Sequence, residues 1–174
     1  MPHLPIIIAP DPRLKAVSAP VAALDDATRR LIDDMVSTMY AAPGVGLAAP
    51  QVGVRKRIIV VDPTDGEGNP QLVRMVNPEI TARSDELVEH EEGCLSLPEF
   101  YEILERPRAI EVRFLDPDGG QRSLAADGLL ARCIQHEVDH LDGVIFVDHL
   151  SAVKRNIILR KLAKTKKQKA RESA

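Results

Sequence analysis

The stretch Gln135-His136-Glu137-Val138-Asp139-His140 (QHEVDH) decides how the rest of this chain is interpreted. On a helix, residues i and i+4 lie on one face, one turn apart, so His136 and His140 point to the same place. Glu137 lies about 100° further round the helix and stands beside that place. Two imidazoles with an adjacent carboxylate are typical of metal-assisted hydrolysis, in which the carboxylate takes a proton from a metal-bound water. The sequence therefore predicts a metal-binding helix.

A solvated helix can carry the same pattern by chance, but the residues before the motif argue against that interpretation. Gly128 to Ile134 is apolar, helix-forming sequence that would bury the motif. Buried polar side chains are costly unless they are partnered, so their presence here indicates a function.

The motif leaves the third metal ligand open, and that ligand separates the classes of enzyme. Peptidases that extend the motif with a glycine and a third histidine would need histidine at position 146, which is Phe146. Peptidases that use a downstream glutamate would have only Glu172, in the terminal segment. We therefore expect the ligand upstream of the motif. The remaining candidates are His3, His90, His149 and the two cysteines of the chain, Cys94 and Cys133.

The two cysteines differ in how well they can reach a shared ion. Cys133 precedes His136 by three residues but lies about 10 Å from His140 along the helix axis, at ~1.5 Å per residue. Metal bonds of about 2.1 to 2.3 Å would close poorly around three such ligands, so Cys133 is expected to be a small buried side chain beside the site. Cys94 lies in the extended segment Glu92 to Pro98 (EGCLSLP), where Gly93 permits close approach of the backbone. Cys94 is therefore the favoured third ligand.

A third segment, Gly44 to Gly53 (GVGLAAPQVG), is rich in glycine and other small residues. Such a run lets another backbone, for example an extended peptide, lie close to it. Gln51 offers a side-chain amide donor within this run. The segment lacks the Gly-Lys-Ser/Thr ending of a phosphate-binding loop, so nucleotide binding is a weak interpretation.

Together, Gly44 to Gln51, Glu92 to Ser96 and Gln135 to His140 resemble the three signature motifs of the peptide deformylase family, in the same order. The resemblance extends from the N-terminus to about residue 160. By matched position it implies Cys94, His136 and His140 as metal ligands. It also implies Glu137 as general acid and base, with Gln51 and the backbone N–H of Leu95 as donors to the oxyanion.

The resemblance also implies the reaction and the cofactor. It predicts a metal-dependent hydrolase that removes the N-formyl group from N-formylmethionyl nascent polypeptides and releases formate, with metal-bound water as nucleophile. A site of one thiolate and two imidazoles accepts several divalent ions. The family implies Fe(II) as the physiological ion, with Zn(II), Ni(II) or Co(II) as substitutes.

Substrate binding is expected beside the metal. The family resemblance places five residues at the substrate: Val45, Gly46, Gly93, Leu129 and Cys133. An unbranched methionine side chain suits an apolar slot, because each buried methylene contributes about 0.8 kcal/mol. Two positions depart from the family pattern. Arg132 stands where an aliphatic residue is expected, and Tyr101 stands where some members have an arginine that contacts the peptide.

Composition and periodicity predict an α+β fold. The chain has 174 residues, of which 44% are hydrophobic, and no tryptophan, so one domain with an aliphatic core is expected. We predict small antiparallel sheets packed around a central helix that carries the HExxH motif, together with an N-terminal helix over Asp25 to Met39 and a basic C-terminal helix. Predicted strands are Arg57 to Val61, Leu72 to Val76 and Ile110 to Leu115, with loops at Asp62 to Pro70 and Asp116 to Gly120. The catalytic domain is assigned to residues 1–160, and residues 161–174 are expected to be a frayed or disordered basic tail.

Charge is unevenly distributed along the chain. Ser151 to Ala174 contains nine Lys or Arg residues and one acidic residue, Glu172, in a protein whose formal net charge is −3. Such a block is often a solvated helix, but like-charge blocks also bind nucleic acid, so this tail is a candidate for docking on the ribosome. Two cysteines in unrelated contexts, the lack of a secretory leader pattern and the lack of a long apolar run predict a cytoplasmic protein without a membrane span.

Two other classes of function remain open at this stage. A metal-dependent peptidase is disfavoured because the usual third ligands are missing. A protein that uses the metal structurally, or that only binds formylated chains, is disfavoured because closed structural zinc sites normally have four protein ligands and no fourth is evident.

Overall fold

Three α-helices, three short 3-10 helices and seven strands make up the regular structure of the residues described, which are 3–64 and 68–173 of a computed structural model. The helices are α1 (Asp26–Ala41), α2 (Gly128–Leu141) and α3 (Ala152–Glu172). The strands are β1 (Gly46–Ala48), β2 (Ile58–Val61), β3 (Val73–Arg83), β4 (Leu87–Cys94), β5 (Leu97–Pro107), β6 (Ala109–Leu115) and β7 (Gln121–Asp127). Within the two described ranges, the predicted α+β architecture is confirmed.

The strands form two antiparallel sheets. The first has the order β1-β2-β3-β6-β7, and the second is the hairpin of β4 and β5. Helix α2 lies against the first sheet, where Ile134 and Leu141 are fully buried in a cluster with Ile59 and Met75. This burial fixes which face of α2 turns inward, and so fixes where the motif histidines point.

Helix α1 follows the predicted amphipathic stripe. Asp25 caps its N-terminus, because its carboxylate accepts a hydrogen bond of 2.8 Å from the backbone N–H of Thr28. Ile32, Met35 and Met39 are fully buried against the first sheet. The helix runs two residues past the predicted end at Met39, to Ala41.

The three predicted strands are present as β2, β3 and β6. Strand β6 begins one residue earlier than predicted, and β3 is much longer than predicted. The strand predicted to end at Val76 continues to Arg83 as β3, which is irregular in its pairing with β6. Asp116 closes the predicted turn after β6, since its carboxylate accepts from the N–H groups of Asp118 and Gly120. Of the loop predicted between β2 and β3, residues 65–67 lie outside the described ranges.

The hairpin of β4 and β5 carries the predicted cysteine ligand. Its strands are eight and eleven residues long, whereas the sequence indicated only a short extended segment around Cys94. Cys94 pairs with Leu97 at the tip, after a register shift next to Gly93, so Leu95 and Ser96 form the connection. The hairpin thus presents Cys94 and Leu95 at its end.

Helix α3 begins after Ser151, whose hydroxyl accepts from the backbone N–H of Lys154 at 3.2 Å. Ile158 and Leu162 are its buried residues. Residues 161–172 are helical, in contrast to the frayed or disordered tail expected from their composition, and the domain boundary at residue 160 stays a prediction. Among the described helices, none has the length and apolar character that crossing a bilayer requires.

Candidate metal centre and active site

Cys94, His136 and His140 meet at one point. Their potential ligand atoms all lie within 4.8 Å of one another, and this is the grouping of metal-ligating side chains found in the described part of the chain. The Sγ atom of Cys94 is 3.3 Å from Nε2 of His140, and the two imidazole centroids are 5.1 Å apart. The structure therefore brings together the three residues that the sequence predicted as ligands.

The donor set suits a divalent transition ion. A thiolate and two imidazoles bind zinc and the later first-row metals well, and three protein ligands leave a position for a reactant. Burial lowers the pKa of His140 well below its usual value, so this imidazole is neutral, as a ligand must be. Its Nδ1 atom is buried and has no hydrogen-bond partner among the described residues. The residues present fit a bound metal ion.

Glu92 orients His136 from behind. Its Oε1 lies 3.0 Å from Nδ1 of His136. Burial raises the pKa of Glu92, but hydrogen bonds from His136 and Arg106 outweigh burial and bring that pKa down to about 2. Because an ionised carboxylate can only accept, Nδ1–H of His136 donates, and Nε2 is left as the ligand atom.

Arg106 completes this support as a buried cation. Its Nε and Nη2 donate to the two carboxylate oxygens of Glu92 at 2.5 and 3.0 Å, and both side chains are over 90% buried. Its Nη1 donates to Asp139 at 3.0 Å, and the imidazole of His149 lies 2.9 Å from the same Asp139 oxygen. A charged network therefore links α2, β4 and β5 and ends on His149, which is partly exposed.

Glu137 is buried beside the three ligands. Burial raises its pKa to about 7, the nearby carboxylate of Glu92 adds to this rise, and the positive charge of Arg106 opposes it. Its Oε1 is buried without a hydrogen-bond partner in the described ranges. Gly46 makes room for the carboxylate, because a Cβ at that position would come within 2.9 Å of Cδ of Glu137. Glu137 is thus a carboxylate with an unused oxygen in the place that a proton-transfer group requires.

Gln51 is held in one orientation. Its Oε1 accepts from the backbone N–H of Ala48 at 2.9 Å, so its amide group must point the other way. The Nε2 group donates to Oγ of Ser96 at 3.0 Å and lies 3.5 Å from Sγ of Cys94. The amide predicted as an oxyanion donor is therefore aimed at the ligand cluster.

The N-terminal segment ties the two loops of the site together. The backbone N–H of Ile7 donates to the carbonyl of Gln51 at 2.7 Å, and that of Ala9 donates to the carbonyl of Ser96 at 2.9 Å. The N-terminal segment is thus bonded to the Gln51 loop through Ile7 and to the hairpin tip through Ala9. These two bonds help to hold Gln51 and Cys94 in position relative to each other.

A cavity of about 610 Å³ opens over the ligand cluster, and we call it the main cavity. Its lining includes His136, Glu137, Gln51, Cys94 and Leu95, and the five residues predicted at the substrate, Val45, Gly46, Gly93, Leu129 and Cys133. Burial raises the pKa of Cys133 to about 12, so this cysteine is a neutral, apolar wall, as the sequence predicted. Arg132 and Tyr101, the two departures, also line the main cavity.

Sequence reasoning missed the supporting residues. The sequence motifs contain Glu92 and Ser96 but predict no role for either, and they do not include Arg106. The sequence did contain a signal for Arg106. It lies two residues after the buried Leu104 on β5, so both side chains are on the same, inward face of the strand. A charged residue at an inward position of a strand indicates a buried partner.

The chain is similar to known proteins over nearly its whole length. Residues 3–156 match the family described as polypeptide deformylase. A peptide deformylase of Methylocella silvestris is 51% identical over 99% of this chain and 89% of its own length. One from Azotobacter vinelandii is also 51% identical, over 97% of this chain and 99% of its own length.

Solved structures give the same result. A peptide deformylase from Ehrlichia chaffeensis superposes with a TM-score of 0.91 at 40% identity, covering 97% of this chain and 99% of that protein. A structure of the Ehrlichia chaffeensis enzyme in complex with actinonin superposes with a TM-score of 0.90 at 42% identity, covering 95% and 98%.

Proposed function

The chain belongs to the peptide deformylase family of hydrolases, which remove the N-formyl group from nascent peptides, and from this premise we propose which of its residues perform the reaction. The substrate is an N-formylmethionyl polypeptide, and the products are formate and a peptide with a free amino group. The observation that carries the proposal is the buried carboxylate of Glu137 beside the Cys94, His136 and His140 cluster, at the wall of the main cavity.

Cys94, His136 and His140 hold one divalent ion. Such an ion supplies a Lewis acid that polarises the formyl carbonyl and lowers the pKa of water toward 7. We assign Fe(II) as the physiological ion, with Zn(II), Ni(II) or Co(II) as substitutes. The negatively charged Glu92 strengthens His136 as a donor, since a carboxylate on the far ring nitrogen raises ligand basicity.

Glu137 transfers the proton. Its unpartnered oxygen accepts a proton from the attacking water and later delivers it to the departing amine nitrogen, so that one group acts first as base and then as acid. Water adds to the formyl carbon, the C–N bond breaks, and no covalent enzyme intermediate is needed. A raised pKa near neutrality suits a group that must both accept and release a proton.

Gln51 and the backbone N–H of Leu95 stabilise the negative charge that develops on the formyl oxygen. The amide of Gln51 is pre-oriented by Ala48 and Ser96, so it needs no reorganisation during the reaction. Leu95 follows Cys94 at the hairpin tip, and this position supports the role proposed for its backbone N–H. Loss of one such donor typically costs about 3 kcal/mol of transition-state stabilisation.

The methionine side chain occupies the apolar wall formed by Val45, Leu129 and Cys133. Gly46 and Gly93 line the main cavity, and their lack of a side chain lets the peptide backbone approach. Strand β1 lies at the end of its sheet, so its second edge is available to an extended peptide in the described structure.

The decisive experiment measures formate release from a formyl-Met-Ala-Ser peptide by anaerobically purified protein loaded with Fe(II). The parent should release formate, and Glu137→Ala and Cys94→Ala should each lose at least 99% of kcat/KM. Glu89→Ala, an exposed change on the same strand as Cys94, is the matched control and should leave the rate unchanged. Absence of formate from the metal-loaded parent would overturn the proposal.

The metal assignment has its own test. Protein purified without air should contain iron at about one equivalent by elemental analysis, and exposure to air should remove activity as Cys94 and the ion oxidise. Isolation with zinc alone, together with full activity that resists air, would contradict the assignment of Fe(II).

We further infer that the enzyme works in the cytoplasm and that the outward face of α3 docks on ribosomal RNA. At about 100° per residue, Arg160, Lys164, Lys167 and Arg171 share one face, opposite the buried Leu162. Lys164→Glu with Lys167→Glu should reduce cosedimentation with ribosomes at low salt. Arg113→Glu with Arg122→Glu makes the same charge change on the first sheet and should have little effect. Equal loss in both variants would contradict a specific surface.

A further inference from the structure

A second cavity, of about 480 Å³, lies between the N-terminal segment and α3, and we call it the distal cavity. Its floor is apolar, and helix α3 forms one wall. The lining residues used below are Ile6, Ile8, Pro98, Arg13, Lys166 and Lys169.

The two cavities adjoin, since Ile6, Ile8 and Pro98 line both of them, and we call the pair the groove. Ile6 and Ile8 are half-buried and line both cavities, whereas Ile7 is buried in the core and lines the distal cavity.

The far end of the groove is positively charged. Leu162, Thr165, Lys166 and Lys169 follow the spacing of one helix face, with Leu162 buried in the core and the lysines at the rim. Asp11 is the acidic residue in this lining, and it is engaged by Arg13 at 2.8 Å and Lys166 at 4.0 Å. No ion pair involves Lys169 among the described residues. Three cations and one anion give the lining an excess of two positive charges.

We propose that the distal cavity binds the downstream part of the formylated polypeptide and favours acidic side chains there. This inference rests on the proposed function, because it extends the groove in which the formylmethionine is held. The shared lining points to the substrate itself as the occupant, since a chain anchored at the metal ligands can extend past Ile6, Ile8 and Pro98 into the distal cavity. The apolar floor of Ile6, Ile8 and Pro98 receives its backbone and aliphatic groups, and Lys166 and Lys169 attract carboxylates.

Peptide length separates the two parts of the groove. At about 3.3 Å per residue, a three-residue peptide spans about 10 Å and an eight-residue peptide about 26 Å. The short peptide occupies the main cavity, whereas the long one can reach α3. A charge preference at the far end should therefore appear only with long peptides.

The experiment compares KM for formyl-Met-Ala-Ser with KM for two eight-residue formyl-Met peptides that carry Glu or Lys at positions 5 to 8. We expect the Glu peptide to have a KM roughly fivefold below that of the Lys peptide at low salt, with less difference at 0.5 M salt. Lys166→Glu with Lys169→Glu should abolish or invert this preference. Lys164→Glu with Lys167→Glu is the matched control, because it makes the same net charge change on the opposite face of α3.

Each outcome is informative. Preference for the Glu peptide that is lost only in the Lys166 and Lys169 variant supports the proposal. Equal KM values for the two long peptides, or equal loss in both double variants, would overturn it. If one of these two overturning results is found while formyl-Met-Ala-Ser is hydrolysed normally, the proposal for the distal cavity fails and the proposed function stands. If that short peptide is not hydrolysed at all, the proposed function itself fails.

Discussion

The carboxylate of Glu92 lies 3.0 Å from Nδ1 of His136, and this contact decides which nitrogen of the imidazole faces Cys94. Arg106 keeps Glu92 ionised, so the proton of His136 stays on Nδ1 and Nε2 remains free to bind an ion. We therefore expect the affinity of the proposed metal site to depend on Glu92 and Arg106, two residues that are not among its proposed ligands.

Replacing Glu92 by Gln should weaken metal binding while leaving the three ligands in place. The neutral amide removes the charge that raises the basicity of His136, and loss of such outer partners typically lowers affinity about 10- to 100-fold. Competition with a chelator measures the Kd for zinc. Glu89→Gln, an exposed change on the same strand, should not alter that Kd. Equal affinity of the Glu92 variant and the parent would contradict the role of Glu92.

Replacing Arg106 by Met should destabilise the fold strongly. The change leaves Glu92 as a buried charge without its cation, and breaking a buried pair in this way costs about 3 to 5 kcal/mol. Urea unfolding of parent and variant measures the difference in free energy of unfolding. Arg113→Met removes an ion pair with Glu79 whose side chains are 60% and 64% exposed, so its cost should be below about 1 kcal/mol. A similar cost for both variants would show that burial of the Arg106 pair has no special importance.

Replacing Gly46 by Ala should reduce turnover with little effect on stability. A Cβ at this position lies within 2.9 Å of Cδ of Glu137, so the carboxylate must move from its place beside the ligands. Displacement of a catalytic group by about 1 Å can cost about 100-fold in rate, so kcat should fall on that scale. The midpoint of urea unfolding should stay close to that of the parent. An unchanged kcat would mean that Glu137 tolerates displacement.

Cys133 should be nearly inert to alkylation in the folded protein. Burial raises the pKa of its thiol from 9.0 to about 12, so the thiolate fraction at pH 8 is lower by roughly a thousandfold than for an exposed cysteine. Iodoacetamide labelling of Cys94→Ser, followed by mass spectrometry, isolates this residue. Labelling should be slow in buffer and fast in 8 M urea, where the same variant serves as its own control. Rapid labelling in buffer would indicate that Cys133 is accessible and ionised.

Much of the site could be predicted from local sequence. The spacing of His136 and His140 fixes their shared direction once a helix forms, and the small residues from Gly44 to Gly53 indicate a close approach. Helix α1 and the strands near Ile58 and Ile110 were also predictable, because their apolar periodicity is strong. The contribution of Arg106 was less accessible, since its partners are 14 and 33 residues away.

The end of the chain could not be predicted correctly from its composition. Its composition predicts a solvated basic tail, yet residues 161–172 continue α3 as a helix. Ile158 and Leu162 pack into the same cluster as Ile7 and Leu14, which are distant in sequence. A composition-based expectation cannot include such contacts, because they arise only when the N-terminal segment is in place.

The sequence by itself determined the three candidate ligand residues, the helix that carries two of them, and the family to which the chain belongs. Tertiary structure decided the rest: how β4 and β5 bring Cys94 to His140, how Arg106 holds Glu92 against His136, and how α3 closes a groove over Ile6 and Ile8. The physical reason is the separation along the sequence over which each kind of interaction acts. Helical spacing acts over a few residues, whereas the pairings of sheet, hairpin and terminal helix join residues that only the packed core brings together.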